Sequence, residues 1–193
     1  MLHNWNGQLR TIVTRKLSAD LPTAVLWGKY NRDAMSFEPN RNTRSVSPLI
    51  TSIWGQGTYY NALCPSGTPV GCVATAMAQI MRYWAFPSVG QGSNSYNCPP
   101  YGVQSADFGA TTYNWAAMPN ALNNNNSSVA TICRHAGVSV NMDYAPDGSG
   151  AYSTDVPAAL INNFKYKSTT QYLSRGMYSA SNWDTIIKGE LDN

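Results

Sequence analysis

The sequence predicts an α+β domain, and three observations support this fold class. An amphipathic helix begins after Gly71, where apolar residues recur at helical spacing before Pro87. Apolar residues alternate over 138–144, which is typical of a half-buried strand. Residues 1–47 combine scattered charge with no sustained periodicity, whereas apolar residues become frequent from Pro48 onward. We therefore expect the compact domain to begin near Pro48.

The helix after Gly71 has the clearest pattern, with apolar residues at i, i+3, i+4, i+7, i+8 and i+11. These residues are Val73, Ala76, Met77, Ile80, Met81 and Trp84. A second, shorter helix is predicted to begin at Ser127 or Ser128, either of which can cap its first turn. Gly137 is suited to closing that helix, and the alternating strand follows it.

Between these two helices, residues 88–126 are rich in turn-forming residues. Beyond the strand, another helix is predicted near Ser153 or Thr154, with Pro157 in its first turn. A last amphipathic helix runs into the C-terminus, and its apolar residues are Trp183, Ile186, Ile187 and Leu191.

Composition limits the partners that this chain can have. Only 12% of its 193 residues are charged, about half the usual share of roughly 25%, and such weakly charged polar chains are common among exported proteins. The net charge is +3, but the basic residues form no stripe, so nucleic-acid binding is not expected. No apolar stretch has the length of a membrane span or of a signal-peptide core, so either the protein is cytosolic or Met1 is not its natural start.

Cys72 stands directly after Gly71, in the first turn of the clearest helix. The partial positive charge at a helix N-terminus stabilises a thiolate over a thiol, and the thiolate is the competent nucleophile. Backbone N–H groups there can hold an oxyanion, and the side-chain amide of Gln56 suits a second donor. Gly71 would let a substrate backbone approach closely. The alternative is a small buried core residue, which is the commoner fate of a free cysteine.

The other cysteines, Cys64, Cys98 and Cys133, form no CxxC pair with one another or with Cys72. A disulfide such as Cys64 with Cys98 suits an exported protein, but the spacing does not choose the partners. Cys133 and His135 stand at i and i+2 of a helix, where side chains diverge, so we expect no zinc site and no other metal or cofactor.

Several segments resemble the streptopain-like cysteine peptidases. The stretch from Val70 to Trp84, with the sequence VGCVATAMAQIMRYW, resembles the active-site helix of that family, and 54–61 (WGQGTYYN) resembles its oxyanion segment. Two more landmarks follow in the same order, at 113–115 (YNW) and 136–144 (AGVSVNMDY). The resemblance extends from about Pro48 to the end of the chain.

This resemblance implies a papain-like fold, in which a helical half bears the nucleophilic cysteine and a β half bears a histidine across a cleft. The chain would hold the helical half and the start of the β half, incomplete at its C-terminus. Residues 1–44 would be the tail of an inhibitory propeptide, and 45–193 the N-terminal part of the peptidase domain. The family is bacterial and secreted, and its partners are protein or peptide substrates and the propeptide itself.

The catalytic base is the point at which the chain departs from this family. Cysteine chemistry needs a group to take the thiol proton, normally a histidine. His3 lies in the presumed propeptide, and His135 is expected to be a surface or helix C-terminal residue that bonds local carbonyls. The histidine strand of the family, with its Gly-His-Ala-Phe type motif, does not occur. We therefore expect no peptidase activity from this chain alone.

The resemblance also places Ser149 and Gly150 on a loop that contacts the substrate backbone. A rival class is a non-catalytic pseudo-peptidase or binding module, which would keep the cleft and lack the base. Another Cys-His acyl-transfer enzyme would share the helix-start chemistry, but it would not share the several matched segments.

Overall fold

The computed structural model describes residues 48–191. The chain divides after Ser47 into two units, and the described residues lie in the second, Pro48–Asn193. The predicted propeptide tail at 1–44, and His3 with it, lies outside the described residues.

The described part contains four α-helices and one two-stranded sheet. The helices are α1 (Cys72–Trp84), α2 (Ser127–Ser139), α3 (Val156–Phe164) and α4 (Ala180–Leu191), and the strands are β1 (Ser93–Asn97) and β2 (Val103–Asp107). Four short 3-10 helices lie at Pro65–Gly67, Trp115–Ala117, Ser153–Asp155 and Arg175–Met177. Both helical and strand structure are present, which confirms the α+β fold class.

Helix α1 packs against α2 and buries one side of its predicted apolar surface. Its buried residues are Ala74, Thr75, Met77, Ala78 and Met81. Each fully buried methionine contributes about 1.5–3 kcal/mol to folding relative to an exposed one. Of the other predicted apolar residues, Val73 is partly buried against the core, whereas Ala76, Ile80 and Trp84 are exposed. These three follow Cys72 at steps of four residues, so the exposed row lies on the side of the helix that carries the thiol.

A hairpin lies within 88–126, where the sequence predicts only turns. Strands β1 and β2 pair antiparallel from Ser93 with Asp107 to Asn97 with Val103. Their inward residues are largely polar because they bond to the end of α2 and the chain after it. Asn94 Nδ2 donates to the Val138 carbonyl over 2.7 Å, and the Tyr96 hydroxyl donates to the Met142 carbonyl over 2.6 Å. An alternation of apolar residues is therefore missing from this hairpin.

Helix α2 differs from its prediction at both ends. Asn126 caps it, since the Asn126 side-chain oxygen accepts a 3.0 Å hydrogen bond from the Val129 N–H. Gly137 lies inside the helix, which continues to Ser139. A side chain at position 137 would collide with the Tyr144 hydroxyl. Because α2 includes 138 and 139 and the chain then turns, with the Met142 N–H bonded to the Gly137 carbonyl, the predicted strand over 138–144 does not form. One bridge, Asp143 with Gly150, is present there among the described residues.

The last two helices confirm their predictions. Helix α3 has Pro157 in its first turn and buries Leu160 and Phe164. Helix α4 has no buried residue among those described. No helix among residues 48–191 combines the length and apolar character needed to cross a membrane.

Candidate active site

Cys72 is the first residue of α1, and its side chain is exposed. The Thr75 amide donates to the Gly71 carbonyl over 3.0 Å, which closes the first turn. Within residues 48–191, the N–H groups of Cys72, Val73 and Ala74 have no acceptor, as is usual at a helix start. No acidic residue lies in the first turn. The thiol therefore lies beside unpaired backbone donors, at the positive end of the helix dipole.

Gly71 precedes the helix in a conformation that suits only glycine, with φ 90° and ψ 142°. A Cβ at this position would lie 2.7 Å from the Met142 sulfur and 3.1 Å from the Ser149 carbonyl oxygen. Met142 and Ser149 therefore fill the space behind the turn, and Gly71 is required for both backbone geometry and packing.

The segment that carries Gln56 is hydrogen-bonded to this turn. The Val70 N–H donates to the Gln56 carbonyl oxygen over 2.9 Å. Gln79 on α1 holds the same segment further upstream, because its side-chain oxygen accepts 3.1 Å bonds from the Trp54 N–H and the Ser52 hydroxyl. Gln56 itself is exposed, and its side-chain amide bonds to none of the described residues. That amide is free to donate to a ligand.

The loop 143–150 lies on the other side of the turn. The Asp143 and Gly150 backbones exchange two hydrogen bonds, of 2.8 and 2.9 Å, which close the loop. The Ser149 side chain is 8% exposed, and its hydroxyl donates to the Pro69 carbonyl over 2.6 Å. The N–H of Gly150 is thus engaged by Asp143, whereas the N–H of Ser149 bonds to none of the described residues.

The structure thus brings Gln56, Gly71, Cys72 and Ser149 to one turn. Gly71 and Cys72 belong to the turn at 69–72. The Gln56 carbonyl and the Ser149 hydroxyl are each hydrogen-bonded to it, and Ser149 also packs against Gly71. Their roles in catalysis and in substrate binding stay predictions from the resemblance.

The other three cysteines are buried and free, and none forms a disulfide. Burial raises the pKa of the Cys64 thiol to about 11, although the nearby Arg134 opposes this shift. Burial also raises the pKa of Cys133, well above its usual range. The Cys98 sulfur accepts a 3.3 Å bond from the Tyr144 N–H. Cys72 is therefore the one exposed thiol in the described part of the chain.

His135 is partly buried, which corrects its expected surface position. Its Nδ1 and the Tyr113 hydroxyl form a 2.9 Å hydrogen bond, and the ring packs edge-on against Phe108. Burial lowers the pKa of His135 to about 4; Arg134 adds to the shift, and Asp107 opposes it. Among the described residues no hydrogen bond joins His135 to Cys72, so the ring does not serve the thiol as a base in this arrangement.

The Cys72 side chain is exposed to solvent, away from the cavity that the end of α1 helps to form. That cavity, of about 1020 Å³, lies between the end of α1 and α4, and its walls include Trp84, Phe86, Trp183 and Ile187. Cys72 lines neither this cavity nor two smaller ones of about 520 and 240 Å³. In residues 48–191, no three His, Cys, Asp or Glu side chains form a group that could hold a metal ion.

Sequence reasoning missed two residues that shape this site, Gln79 and Met142. Gln79 stands two helical turns after Cys72 and thus on the same side of α1. A polar residue within an apolar helix pattern is a usable signal for a buried hydrogen bond. No signal in the sequence indicates that Met142 packs against Gly71, because that contact joins segments 71 residues apart.

Comparison with known proteins agrees with these features. A model of the Peptidase C10 family matches residues 54–193. The thiol protease/hemagglutinin PrtT of Porphyromonas gingivalis is 37% identical over 168 residues, which cover 76% of this chain and 19% of that protein. Streptopain of Streptococcus pyogenes serotype M1 is 31% identical over 164 residues, which cover 72% of this chain and 41% of streptopain. The chain thus spans less than half the length of either relative.

Two solved structures of Prevotella intermedia proteins are also similar. Active wild-type interpain A, a cysteine protease, is 38% identical with a TM-score of 0.68, and the match covers 74% of this chain and 63% of that one. A mutant fragment of prointerpain A is 33% identical with a TM-score of 0.72, and the match covers 91% and 64% of the two chains. These neighbours confirm the papain-like fold.

Proposed function

Because this chain belongs to the Peptidase C10 family of cysteine peptidases, we propose that Cys72 is the nucleophile of a protein-cleaving endopeptidase. The observation that carries this proposal is the exposed Cys72 thiol on the first residue of α1. The first N–H groups of that helix have no acceptor among the described residues, and the other three thiols are buried.

In the proposed reaction the Cys72 thiolate attacks the carbonyl carbon of a peptide bond and forms a tetrahedral oxyanion. The backbone N–H groups at the start of α1 and the free Gln56 amide donate to that oxygen. Collapse of the intermediate breaks the C–N bond, and the amine leaves with a proton from a general acid. Water then hydrolyses the thioester and releases Cys72.

Substrate contacts are proposed on both sides of the turn. Gly71 leaves room for a substrate main chain beside the nucleophile, as its lack of a side chain allows. On the loop 143–150, the unpaired backbone N–H of Ser149 suits an extended peptide. Gly150 follows Ser149 and is exposed. Its N–H is already bonded to the Asp143 carbonyl, so its proposed role is van der Waals contact with the substrate.

We propose that residues 1–44 are the tail of an inhibitory propeptide and that the protein is secreted. The prointerpain A match covers 91% of this chain, a share larger than residues 48–193 alone could supply. The low charged fraction of 12% suits an exported protein. N-terminal sequencing of the processed protein from culture medium tests both points, since a mature start near Ser45 is expected.

The 193-residue chain is proposed to be inactive alone, because neither of its histidines matches a catalytic motif and His135 is bonded to Tyr113. The test is casein hydrolysis by this chain, together with its Cys72→Ala variant. Turnover by the chain that disappears in Cys72→Ala would refute the inactivity but support the nucleophile.

The proposed function itself is tested in the natural full-length protein that contains this chain. Hydrolysis of casein is expected to fall to background in Cys72→Ala. The control is Ala76→Ser, a change at an exposed position one turn further along α1, which should retain activity. A full-length protein without hydrolysis would favour the pseudo-peptidase alternative, whereas hydrolysis that survives Cys72→Ala would contradict Cys72 as the nucleophile.

A further inference from the structure

The Ser149 hydroxyl joins the loop 143–150 to the turn before the nucleophile. It donates to the Pro69 carbonyl oxygen over 2.6 Å, across 80 positions of sequence. The same hydroxyl oxygen lies 3.4 Å from the Ala145 N–H, its other hydrogen-bonding neighbour. At 8% exposure the side chain is shielded from solvent, so water cannot readily replace this bond.

The turn is held from two opposite sides at adjacent residues. The Val70 N–H bonds to the carbonyl of Gln56, and the carbonyl of Pro69 bonds to Ser149. The peptide unit between Pro69 and Val70 therefore has both polar groups engaged, each by a different segment. Gly71 follows it with a φ of 90°. Glycine adopts many other backbone conformations about as readily, so its neighbours must hold it in this one.

The loop that supplies Ser149 is itself fixed. Its ends are joined by the two hydrogen bonds between Asp143 and Gly150. Next to Asp143, Tyr144 is fully buried, and its hydroxyl accepts a 3.1 Å bond from Arg134 on α2. Ser149 is thus a donor on a rigid support rather than on a free loop.

We infer that Ser149 is a positioning residue for the nucleophile. Its side chain fixes the backbone of Pro69–Gly71 and so holds Cys72 at the free N–H groups of α1. This inference rests on the proposed role of Cys72. The inference gives the two donor groups of Ser149 different roles. The hydroxyl bonds to Pro69, and the backbone N–H is left to bind substrate.

The experiment is the rate of Cys72 alkylation by iodoacetamide near neutral pH in the 193-residue chain, with labelled sites mapped by mass spectrometry. Ser149→Ala removes the donor, and the turn can then shift away from the helix start. The rate is expected to fall about two- to fivefold, which is the size of a helix-terminus effect on one charge. Ser149→Thr retains a hydroxyl and should restore most of the rate.

Ser153→Ala is the matched control, because Ser153 lies four residues further on, is exposed, and has a side chain that forms no hydrogen bond to the described residues; its backbone carbonyl, which accepts from the Val156 N–H, is unaffected by the change. It should alkylate at the wild-type rate. Circular dichroism melting checks that each variant is folded. An unchanged rate in Ser149→Ala, no rescue by Ser149→Thr, or global unfolding of Ser149→Ala would each overturn a local positioning role. Failure of the proposed function is a separate result, in which wild-type Cys72 reacts no faster than it does in the unfolded chain.

Discussion

The Val70 N–H donates a 2.9 Å hydrogen bond to the carbonyl oxygen of Gln56, and this contact joins the two segments on which the proposed chemistry depends. Gln56 lies 16 positions before Cys72, on a segment with no regular secondary structure of its own at that residue. The bond places that segment beside the residues that lead into α1. Several consequences of this arrangement can be measured.

Gln79→Ala should destabilise the domain, because the Trp54 N–H and the Ser52 hydroxyl lose their shared acceptor. Ser52 and Trp54 are buried, so the expected loss in the free energy of unfolding is about 1–3 kcal/mol. Chemical denaturation measures it. Gln79→Glu keeps an acceptor oxygen and should lose less than Gln79→Ala. The control Gln171→Ala, at an exposed position, should stay within about 0.5 kcal/mol of wild type. A Gln79→Ala variant as stable as that control would show that the two hydrogen bonds to Gln79 do not stabilise the domain.

Gly71→Ala should be costly, because the new Cβ would meet the Met142 side chain at 2.7 Å and the residue has a φ of 90°. Strain and overpacking of this kind each cost about 1–3 kcal/mol. The comparison is Gly176→Ala, where a Cβ would meet nothing within 4 Å. Thermal melting of both variants should show a large loss for the first and a small change for the second; equal melting temperatures would refute the close packing.

The stability of the domain should fall between about pH 6.5 and pH 4 through His135. The pKa of His135 is lowered from 6.5 to about 4 in the folded state, mainly by burial. Above pH 6.5 the ring is neutral in both states, and its contribution is fully present. As the pH falls toward 4, the unfolded chain binds a proton that the folded chain does not, so the free energy of unfolding decreases.

This loss should amount to about 1–3 kcal/mol at the lower end of the range. Urea titrations at several pH values measure it, and His135→Gln should remove this part of the pH dependence. A wild-type profile that His135→Gln leaves unchanged would show that the ring titrates normally.

Asn126→Ala should destabilise α2 by about 0.5–2 kcal/mol, because the Val129 N–H loses its cap. The same change removes the 2.8 Å bond from Asn126 Nδ2 to the Ala117 carbonyl. Asn124→Ala, at an exposed position in the same Asn-rich run, is the control and should have little effect. Urea midpoints for the two variants decide the question, and equal midpoints would show that Asn126 does not cap the helix.

Sequence reasoning predicted the four α-helices because each has an apolar spacing that only a helix satisfies. It placed the cap of α2 one or two residues late, since Asn126, Ser127 and Ser128 are all good capping residues and the choice depends on backbone direction. The hairpin was missed because its inward residues, such as the partly buried Asn94 and the buried Gln104, face inward for hydrogen bonding rather than for apolar packing. Periodicity cannot detect such strands.

The candidate site was predictable only where its residues are neighbours in the chain. Cys72 and Gly71 are adjacent in the chain and lie at a helix start, so local rules apply to them. The contacts of Gln79 with Trp54 and of Ser149 with Pro69 join residues 25 and 80 positions apart. No local pattern encodes such contacts, because they depend on how the segments pack.

The most direct test of the central claim is competitive alkylation of the wild-type chain near neutral pH, with the labelled cysteine identified by mass spectrometry. The proposed function predicts that Cys72 is labelled first, faster in the folded chain than in the same chain in denaturant, while Cys64, Cys98 and Cys133 stay unmodified until unfolding. A folded-state rate for Cys72 no higher than its rate in the unfolded chain would contradict an activated nucleophile at the start of α1.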